Sequence, residues 1–441
     1  MKKHLSLGVL ILFAAASLLP GAFRKEDVKV HQLENGLKIL LVEDHAIPNI
    51  ALYIYFRVGS RNERPGLTGV SHFIEHMMFN GSPKFGPGEF DRKMEFAGGS
   101  NNASTGDDRT GYTDWFPAAA LEPMLEMEAD RMQDATFDPQ VFESERQVIA
   151  SERRMAIDND NDGILSENVR ATAVMAHPYH WDVIGWMSDI QGWRRDEVLG
   201  YYKTFYAPNN AVLVMVGDFA EGRALELIKK YFGKIPASTP PPAVITAEPP
   251  QTGTKRVVLR KEAQAPSFQV VWHGPSVRTP DFYPMSILGQ ALLDGQSSRL
   301  YRRLVREERL AVAVYGGQSE NIDPFLFQIA VQPRPDADLN RIEAVIEEEL
   351  AKVKAEGISD AEIQKALNMT RSDFFQRLQT IAGKAGQLAE TELMHGGFEK
   401  LFSIMDDYAA VKNPRIMEAA RKYFTENNKT VGTLIPEGGV K

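Results

Sequence analysis

Ser71-His72-Phe73-Ile74-Glu75-His76-Met77-Met78 has a counterpart 215 positions later, Ser286-Ile287-Leu288-Gly289-Gln290-Ala291-Leu292-Leu293. Both stretches open on Ser and close on two apolar residues. The polar positions differ: His72 falls on Ile287, Glu75 on Gln290 and His76 on Ala291. One reading is an internal duplication in which only the first copy keeps a polar site. The other is two helices that share an ordinary apolar period.

In the first copy, His72-Phe73-Ile74-Glu75-His76 reads H-x-x-E-H. Imidazoles at i and i+4 lie on one helical face, one turn apart, where both can grip one metal ion. Glu75 sits beside them, where a carboxylate can reach a metal-bound water. Two His and a carboxylate are a common zinc donor set in hydrolases. The bland reading is a helix with two His and a Glu on a polar edge.

Around this core the sequence predicts an α+β fold of two homologous halves, each a largely antiparallel β-sheet packed with helices. At 441 residues the chain is too long for one core. Asn35-Gly36 marks a hairpin between Val28–Leu33 and Leu37–Val42. A strand over 50–58 leads to a helix over 67–79, with Thr68 as N-cap and Gly81 closing it. A short helix over 88–97 and strands over 100–105 and 110–116 follow. Next come helices at 118–133, 138–156 and 163–176, a strand at 210–217 and a helix at 220–232. Strands at 254–261 and 267–273, a helix at 281–293, strands at 311–317 and 325–332, long helices to about 425 and a strand at 430–435 repeat the order. Pro236 to Gln251 is proline-rich and reads as a semi-rigid linker. The expected division is residues 1–22 as a signal peptide, 27–235 as the metal-binding half, 236–252 as the linker and 253–441 as the other half.

Lys2 and Lys3 followed by an apolar stretch from Leu5 to Leu19 and Pro20-Gly21-Ala22 form a secretory leader pattern. Cleavage after Ala22 or after Ala16 both fit, and an uncleaved anchor is the alternative. The stretch is short for a membrane span. The chain has no cysteine, so neither disulfides nor thiolate metal ligands are available. The leader points to a bacterial periplasm. A net charge of −9 without a long basic run argues against nucleic acid as a partner.

A catalytic zinc takes three protein ligands and keeps one position open. The helix at 138–156 offers Glu143, Glu145 and Glu152. Glu145 and Glu152 are two turns apart and share a face. Spacing alone does not choose among the three, and all could be a solvated face paired with Arg146, Arg153 and Arg154.

Val58-Gly59-Ser60-Arg61-Asn62-Glu63, the stretch from Thr68 to Ser82, and Glu145-Arg146-Gln147-Val148-Ile149-Ala150-Ser151-Glu152 resemble the M16 family of metallopeptidases. That family includes pitrilysin, insulin-degrading enzyme and the mitochondrial processing peptidase, and its H-x-x-E-H order defines the inverzincins. The resemblance covers nearly the whole chain after the leader. It implies one Zn2+ per chain held by His72, His76 and Glu152, with Glu75 as general base and Glu145 as a supporting glutamate. Gly98 to Thr105 is similar to the family's substrate strand. A polar edge strand there can pair with an extended peptide, with Asn102 and Ala103 as the contact positions. The implied activity is a zinc-dependent endopeptidase acting on peptides or small unfolded polypeptides.

Family members add an Arg and a Tyr from the non-metal half, seven positions apart. In Leu304 to Ala313, Arg306 is present, but the Tyr position falls on Ala313, or on Val312 after a one-residue gap. The expected answer is a partner subunit that carries the Arg/Tyr pair. A homodimer or a self-sufficient enzyme is the alternative, as is a non-catalytic M16-like peptide-binding or assembly subunit. Asp158-Asn159-Asp160-Asn161-Asp162-Gly163 opens like a calcium loop but has Val169 where Glu is required, and is read as an acidic interhelix loop. His177 and His180 are read as structural or cavity-lining, and His31, His45, His273 and His395 have no partner at metal spacing.

Overall fold

The computed structural model describes residues 23–437; the expected leader lies outside them. The first sheet contains β1 (Lys29–Gln32), β2 (Lys38–Glu43), β3 (Asn49–Phe56), β4 (Ser100–Thr105), β5 (Thr110–Pro117) and β6 (Ala211–Gly217), in the order β1-β2-β6-β3-β5-β4. The second contains β7 (Lys255–Lys261), β8 (Ser267–His273), β9 (Ala311–Gln318), β10 (Leu326–Pro333) and β11 (Lys429–Pro436), in the order β7-β11-β8-β10-β9.

Without β1, the two orders coincide strand for strand. In each sheet the strand pair β2–β6 or β7–β11 is parallel and every other pair is antiparallel. Two unrelated folds have no reason to share one crossover pattern, so the topology favours duplication over a coincidence of helical period. The hairpin at Asn35-Gly36 forms as expected, with Gly36 at φ 88°, a conformation glycine reaches without strain.

In the first half, α1 (Val70–Met77) and α2 (Glu89–Phe96) lie between β3 and β4. Between β5 and β6 lie α3 (Leu121–Asp134), α4 (Pro139–Arg153), α5 (Asn161–Ala173), α6 (Met187–Gly192) and α7 (Arg195–Phe205); α8 (Glu221–Phe232) follows β6. In the second half, α9 (Phe282–Leu293) follows β8. Between β10 and β11 lie α10 (Leu339–Glu356), α11 (Asp360–Arg377), α12 (Ile381–Met394), α13 (Ile404–Ala410) and α14 (Asn413–Tyr423). Helices α6 and α7 have no counterpart in the sequence-based expectation. Helix α9 occupies the place that α1 holds in the first half.

Alternation along the strands shows why both sheet faces are covered. Ile50, Leu52, Ile54 and Phe56 of β3 point into a core shared with α1. Ala51 and Tyr55 point the other way, with Val212, Val214 and Val216 of β6, onto Leu388, Ala389 and Leu393 of α12. Helix α12 comes from the second half. In return, Leu165, Val169 and Ala173 of α5 pack on Val271 and Leu434 of the second sheet. Each half therefore lends the other one helix. Residues 236–254 carry no helix or strand, but the segment is tacked down: Glu248 accepts N–H bonds from Met175, Ala176 and His177 at 2.8, 2.7 and 3.0 Å.

The exchange predicts that residues 23–235 do not fold alone. Without α12, Leu40, Val42, Val212, Val214 and Val216 lose their cover, at a cost on the order of 10 kcal/mol, comparable to the whole stability of a domain. Thermal melting and size-exclusion chromatography of that fragment should show no cooperative transition and self-association; a monomer with a sharp melt contradicts the exchange.

Candidate metal centre

The site depends on where α1 starts. It begins at Val70, not near Leu67, because Gly69 adopts φ 82°, ψ −2°. A Cβ on Gly69 would stand 2.3 Å from the carbonyl oxygen of Ile184. Thr68 is not the N-cap: its hydroxyl donates to Asp189 Oδ2 at 2.8 Å and accepts from the Trp186 N–H at 2.9 Å. Glu63 caps the helix instead. Its two carboxylate oxygens accept from the N–H groups of Gly69 and Ser71, each at 2.8 Å. Burial pushes the Glu63 pKa up to about 8 against those two donors. No sequence rule finds this cap, since Glu63 precedes Gly69 by six residues and is not at a capping-box position.

Phe73, Ile74 and Met77 bury one face of α1, with Phe73 packed at 4.8 Å against the rings of both Phe142 and Trp193. The opposite face presents His72 and His76, whose rings meet edge to face at 4.8 Å. Helix α4 runs alongside, started by Asp138, which accepts from the N–H groups of Gln140 and Val141, and by Pro139 at N1. Arg146 and Arg153 hold it in place. Arg146 donates to the carbonyls of Ile190 and Trp193 at 2.6 and 2.7 Å, and buried Arg153 pairs with Glu167 at 2.7 Å. These anchors fix the face that carries Glu145 and Glu152.

The three carboxylates of α4 separate by geometry. Glu143 is exposed and bound to Arg146 at 3.0 Å. Glu145 Oε1 lies 2.7 Å from His76 Nδ1, and its other oxygen accepts from Asn80 Nδ2 at 3.1 Å. Glu152 Oε2 lies 3.9 Å from His72 Nε2 and 3.8 Å from His76 Nε2. Among the described residues, His72, His76 and Glu152 form the group whose ligand atoms all lie within 4.8 Å of one another. A tetrahedral zinc with bonds of about 2.0–2.2 Å sets its ligands roughly 3.5 Å apart, so this donor set fits with small adjustments. The donors, two imidazoles and a carboxylate, are of the right chemistry, and Glu152 is the most exposed of the three.

Protonation favours the same arrangement. Burial, and then His76, push the His72 pKa down to about 4, so its imidazole is neutral and free to ligate at neutral pH. Burial also acts downward on His76, but the Glu145 hydrogen bond and the charges of Glu152, Glu145 and Glu75 outweigh it and raise its pKa. The His76 bond holds the Glu145 carboxyl below its usual range. With Nδ1–H donated to Glu145, His76 turns Nε2 toward Glu152, the carboxylate–histidine arrangement of zinc sites. Glu75 lies on the sheet side, where the Thr105 hydroxyl donates to its Oε2 at 2.5 Å. Burial raises the Glu75 pKa, opposed by that bond and by His76. Thr105 is a site residue that the sequence reading did not single out.

Asn102 and Ala103 lie in β4, the last strand of its sheet. The Ala103 N–H donates to Asn102 Oδ1 at 2.9 Å, which places that N–H on the unpaired edge. Arg306 is not brought to the triad by any hydrogen bond or ion pair among the described residues. It bonds Gln296 and lies over the Tyr301 ring, 5.8 Å from its centroid. Ala313 is in β9 opposite Gln332. The acidic loop is used structurally: Asp160 caps α5 through the Gly163 N–H, and Asp162 accepts from Ser267. His177 bonds Asp323, His180 bonds the Val174 carbonyl, His31 bonds Glu221 and His45 bonds Asp218.

Known proteins agree with this architecture. Residues 38–185 match the insulinase family, peptidase family M16, and residues 192–370 match the peptidase M16 inactive domain. Zinc protease PqqE of Helicobacter pylori is 30% identical over 443 residues, 99% of each chain. The uncharacterized zinc protease YmxG of Bacillus subtilis is 24% identical, over 94% of this chain and 99% of its own. A crystal structure of a protease from Helicobacter pylori superposes with a TM-score of 0.89 at 30% identity, covering 93% of this chain and 99% of that one. The periplasmic protease PqqL of Escherichia coli shares the fold, with a TM-score of 0.77 at 20% identity over 95% of this chain and 48% of its own. The chain belongs to peptidase family M16.

Replacing Gly69 by Ala tests the helix start. The left-handed backbone and the contact with Ile184 should cost at least about 2 kcal/mol in chemical denaturation; an unchanged midpoint contradicts this account of α1.

Proposed function

We propose that this chain is a zinc-dependent endopeptidase that hydrolyses peptides and small unfolded polypeptides, with one Zn2+ held by His72, His76 and Glu152. The observation that carries the proposal is the convergence of His72 Nε2, His76 Nε2 and Glu152 Oε2 beside the Thr105-bound carboxylate of Glu75. The 30% identity to a zinc protease over its full length supports it. When bound, zinc polarises the scissile carbonyl and lowers the pKa of its water. Glu75 would serve as the general base, accepting a proton from the attacking water at its carboxylate and delivering it to the leaving amine. Glu145 keeps the proton on His76 Nδ1 and so holds the ring in its ligating orientation. Ala103 offers its N–H, and Asn102 its side chain, at the unpaired edge of β4, to which an extended substrate adds as the next strand.

The same reading divides the chain into a metal-binding half at 27–235 and a second half at 253–441, joined by 236–252. It places the protein in the periplasm after removal of residues 1–22, in keeping with the leader pattern and with the periplasmic PqqL as a structural neighbour. No helix of the described residues is long and apolar enough to cross a membrane. Ala313 has no hydroxyl to aim at a developing oxyanion, and Arg306 is engaged by Gln296. A partner subunit supplying an Arg/Tyr pair completes the site; a second copy of the chain carries the same Ala313 and would have to act without the tyrosine. This chain matches only 48% of PqqL, whose greater length leaves room for a second such unit in one chain. The second reading, a non-catalytic peptide-binding subunit, draws on the inactive-domain match. That match covers residues 192–370 and leaves His72 to Glu152 outside it.

Hydrolysis of an unstructured peptide by the zinc-loaded chain, alone and mixed with M16-like partner chains, tests the proposal. Glu75→Gln should retain one zinc and lose at least about 100-fold in kcat; unchanged hydrolysis removes Glu75 from the role of base. Zinc uptake should also release protons in a pH-dependent way. The raised pKa of His76 means more of it must deprotonate on binding as pH falls. His72, down at about 4, contributes no proton at neutral pH. NMR titration of the metal-free chain should therefore show His76 taking up its proton at a higher pH than His72; the reverse order contradicts the assignment.

A further inference from the structure

We propose that Thr105 is the positioning residue for Glu75, and that the second half sets Thr105 through Asn321 and Ile322. The inference rests on the peptidase reading and assigns the metal-free half a part in it. A glutamate carboxylate turns about a broad, two-fold terminal torsion, so packing alone does not aim it. The Thr105 hydroxyl fixes Oε2 at 2.5 Å and so sets the rotation of the carboxylate about that torsion. The β-branch of Thr in turn restricts its own hydroxyl.

Thr105 is the last residue of β4, paired with buried Thr110, whose hydroxyl donates to the Val58 carbonyl at 2.9 Å. The chain then turns, with Gly106 N–H bound to the Arg109 carbonyl at 2.8 Å. This turn carries Asp107 and Asp108, which meet the second half. Asp107 accepts from Ser60 Oγ at 2.9 Å, from Arg170 at 2.5 Å and from Asn321 Nδ2 at 3.2 Å. Asp108 accepts from the Tyr179 hydroxyl at 2.6 Å, the Ile322 N–H at 3.1 Å and Asn321 Nδ2 at 3.3 Å. Arg61 stands 3.6 Å from Asp108. Asp108 and Asn321 are both buried, where an unmatched polar group is costly and a matched one is rigid. The loop between β9 and β10 is thus a clamp on the turn that ends the substrate-binding strand. Tightening or loosening it moves Thr105, and with it the aim of Glu75.

The test compares Thr105→Val, which keeps the shape and removes the donor, with Thr105→Ser, which keeps the donor. With zinc content equal to wild type, Thr105→Val should lower kcat about tenfold or more with KM within about twofold, and Thr105→Ser should restore kcat to within about threefold. Asn321→Ala should lower kcat in the same direction with zinc retained. Equal kcat for Thr105→Val and wild type overturns the proposal, as does an equal loss in Thr105→Ser. A crystal structure of zinc-loaded Thr105→Val gives a readout independent of turnover: the Glu75 carboxylate should rotate away from its wild-type position, and an unmoved carboxylate overturns the proposal. Wild type that binds zinc but hydrolyses no peptide, alone or with partners, counts against the peptidase reading, while the carboxylate position still decides the role of Thr105.

Discussion

The site rests on a buried carboxylate, Glu63, that holds the first turn of a helix only eight residues long. A helix of two turns has little stability of its own in water. Its position is imposed from outside, by Glu63 at the N-terminus and by Phe73, Ile74 and Met77 against the core. Once those are fixed, His72, Glu75 and His76 have no freedom except their side-chain torsions. Helix α4 removes most of that remaining freedom. Arg146 and Arg153 anchor its far side, and Glu145 locks the His76 ring from its near side.

The duplication explains how one half can carry the candidate metal site while the other carries none. Both sheets have one topology, yet α9 presents Ile287, Gln290 and Ala291 where α1 presents His72, Glu75 and His76. Without those residues the second half has a packing role. It supplies α12 to the back of the first sheet and the Asn321–Ile322 contacts to the turn after β4. The halves are therefore interlocked through the core and through a polar seam.

Much of this was legible in the chain itself. The H-x-x-E-H spacing put His72, Glu75 and His76 on one helix because helical periodicity is local. The strand pattern and the offset of 215 pointed to two related halves for the same reason. What local periodicity does not contain is the long-range contact. The start of α1 was misplaced because Glu63 and Ile184 decide it, and neither belongs to the helix. Spacing left Glu143, Glu145 and Glu152 equivalent; their roles differ because Arg146 takes the first, His76 Nδ1 the second and the two Nε2 atoms the third. Thr105 read as one more polar residue of an edge strand, since its partner is 30 residues away. Helices α6 and α7 went unread, although Arg195 to Phe205 buries Val198, Tyr201, Tyr202 and Phe205 at helical spacing.

The central claim is that three side chains from two helices make one zinc site next to a carboxylate base. Diffraction at the zinc absorption edge, from crystals grown with one equivalent of Zn2+, tests it most directly. The account predicts a single strong anomalous peak about 2.0–2.2 Å from His72 Nε2, His76 Nε2 and Glu152 Oε2. A peak elsewhere, or none at these atoms with zinc present in the crystal, contradicts it.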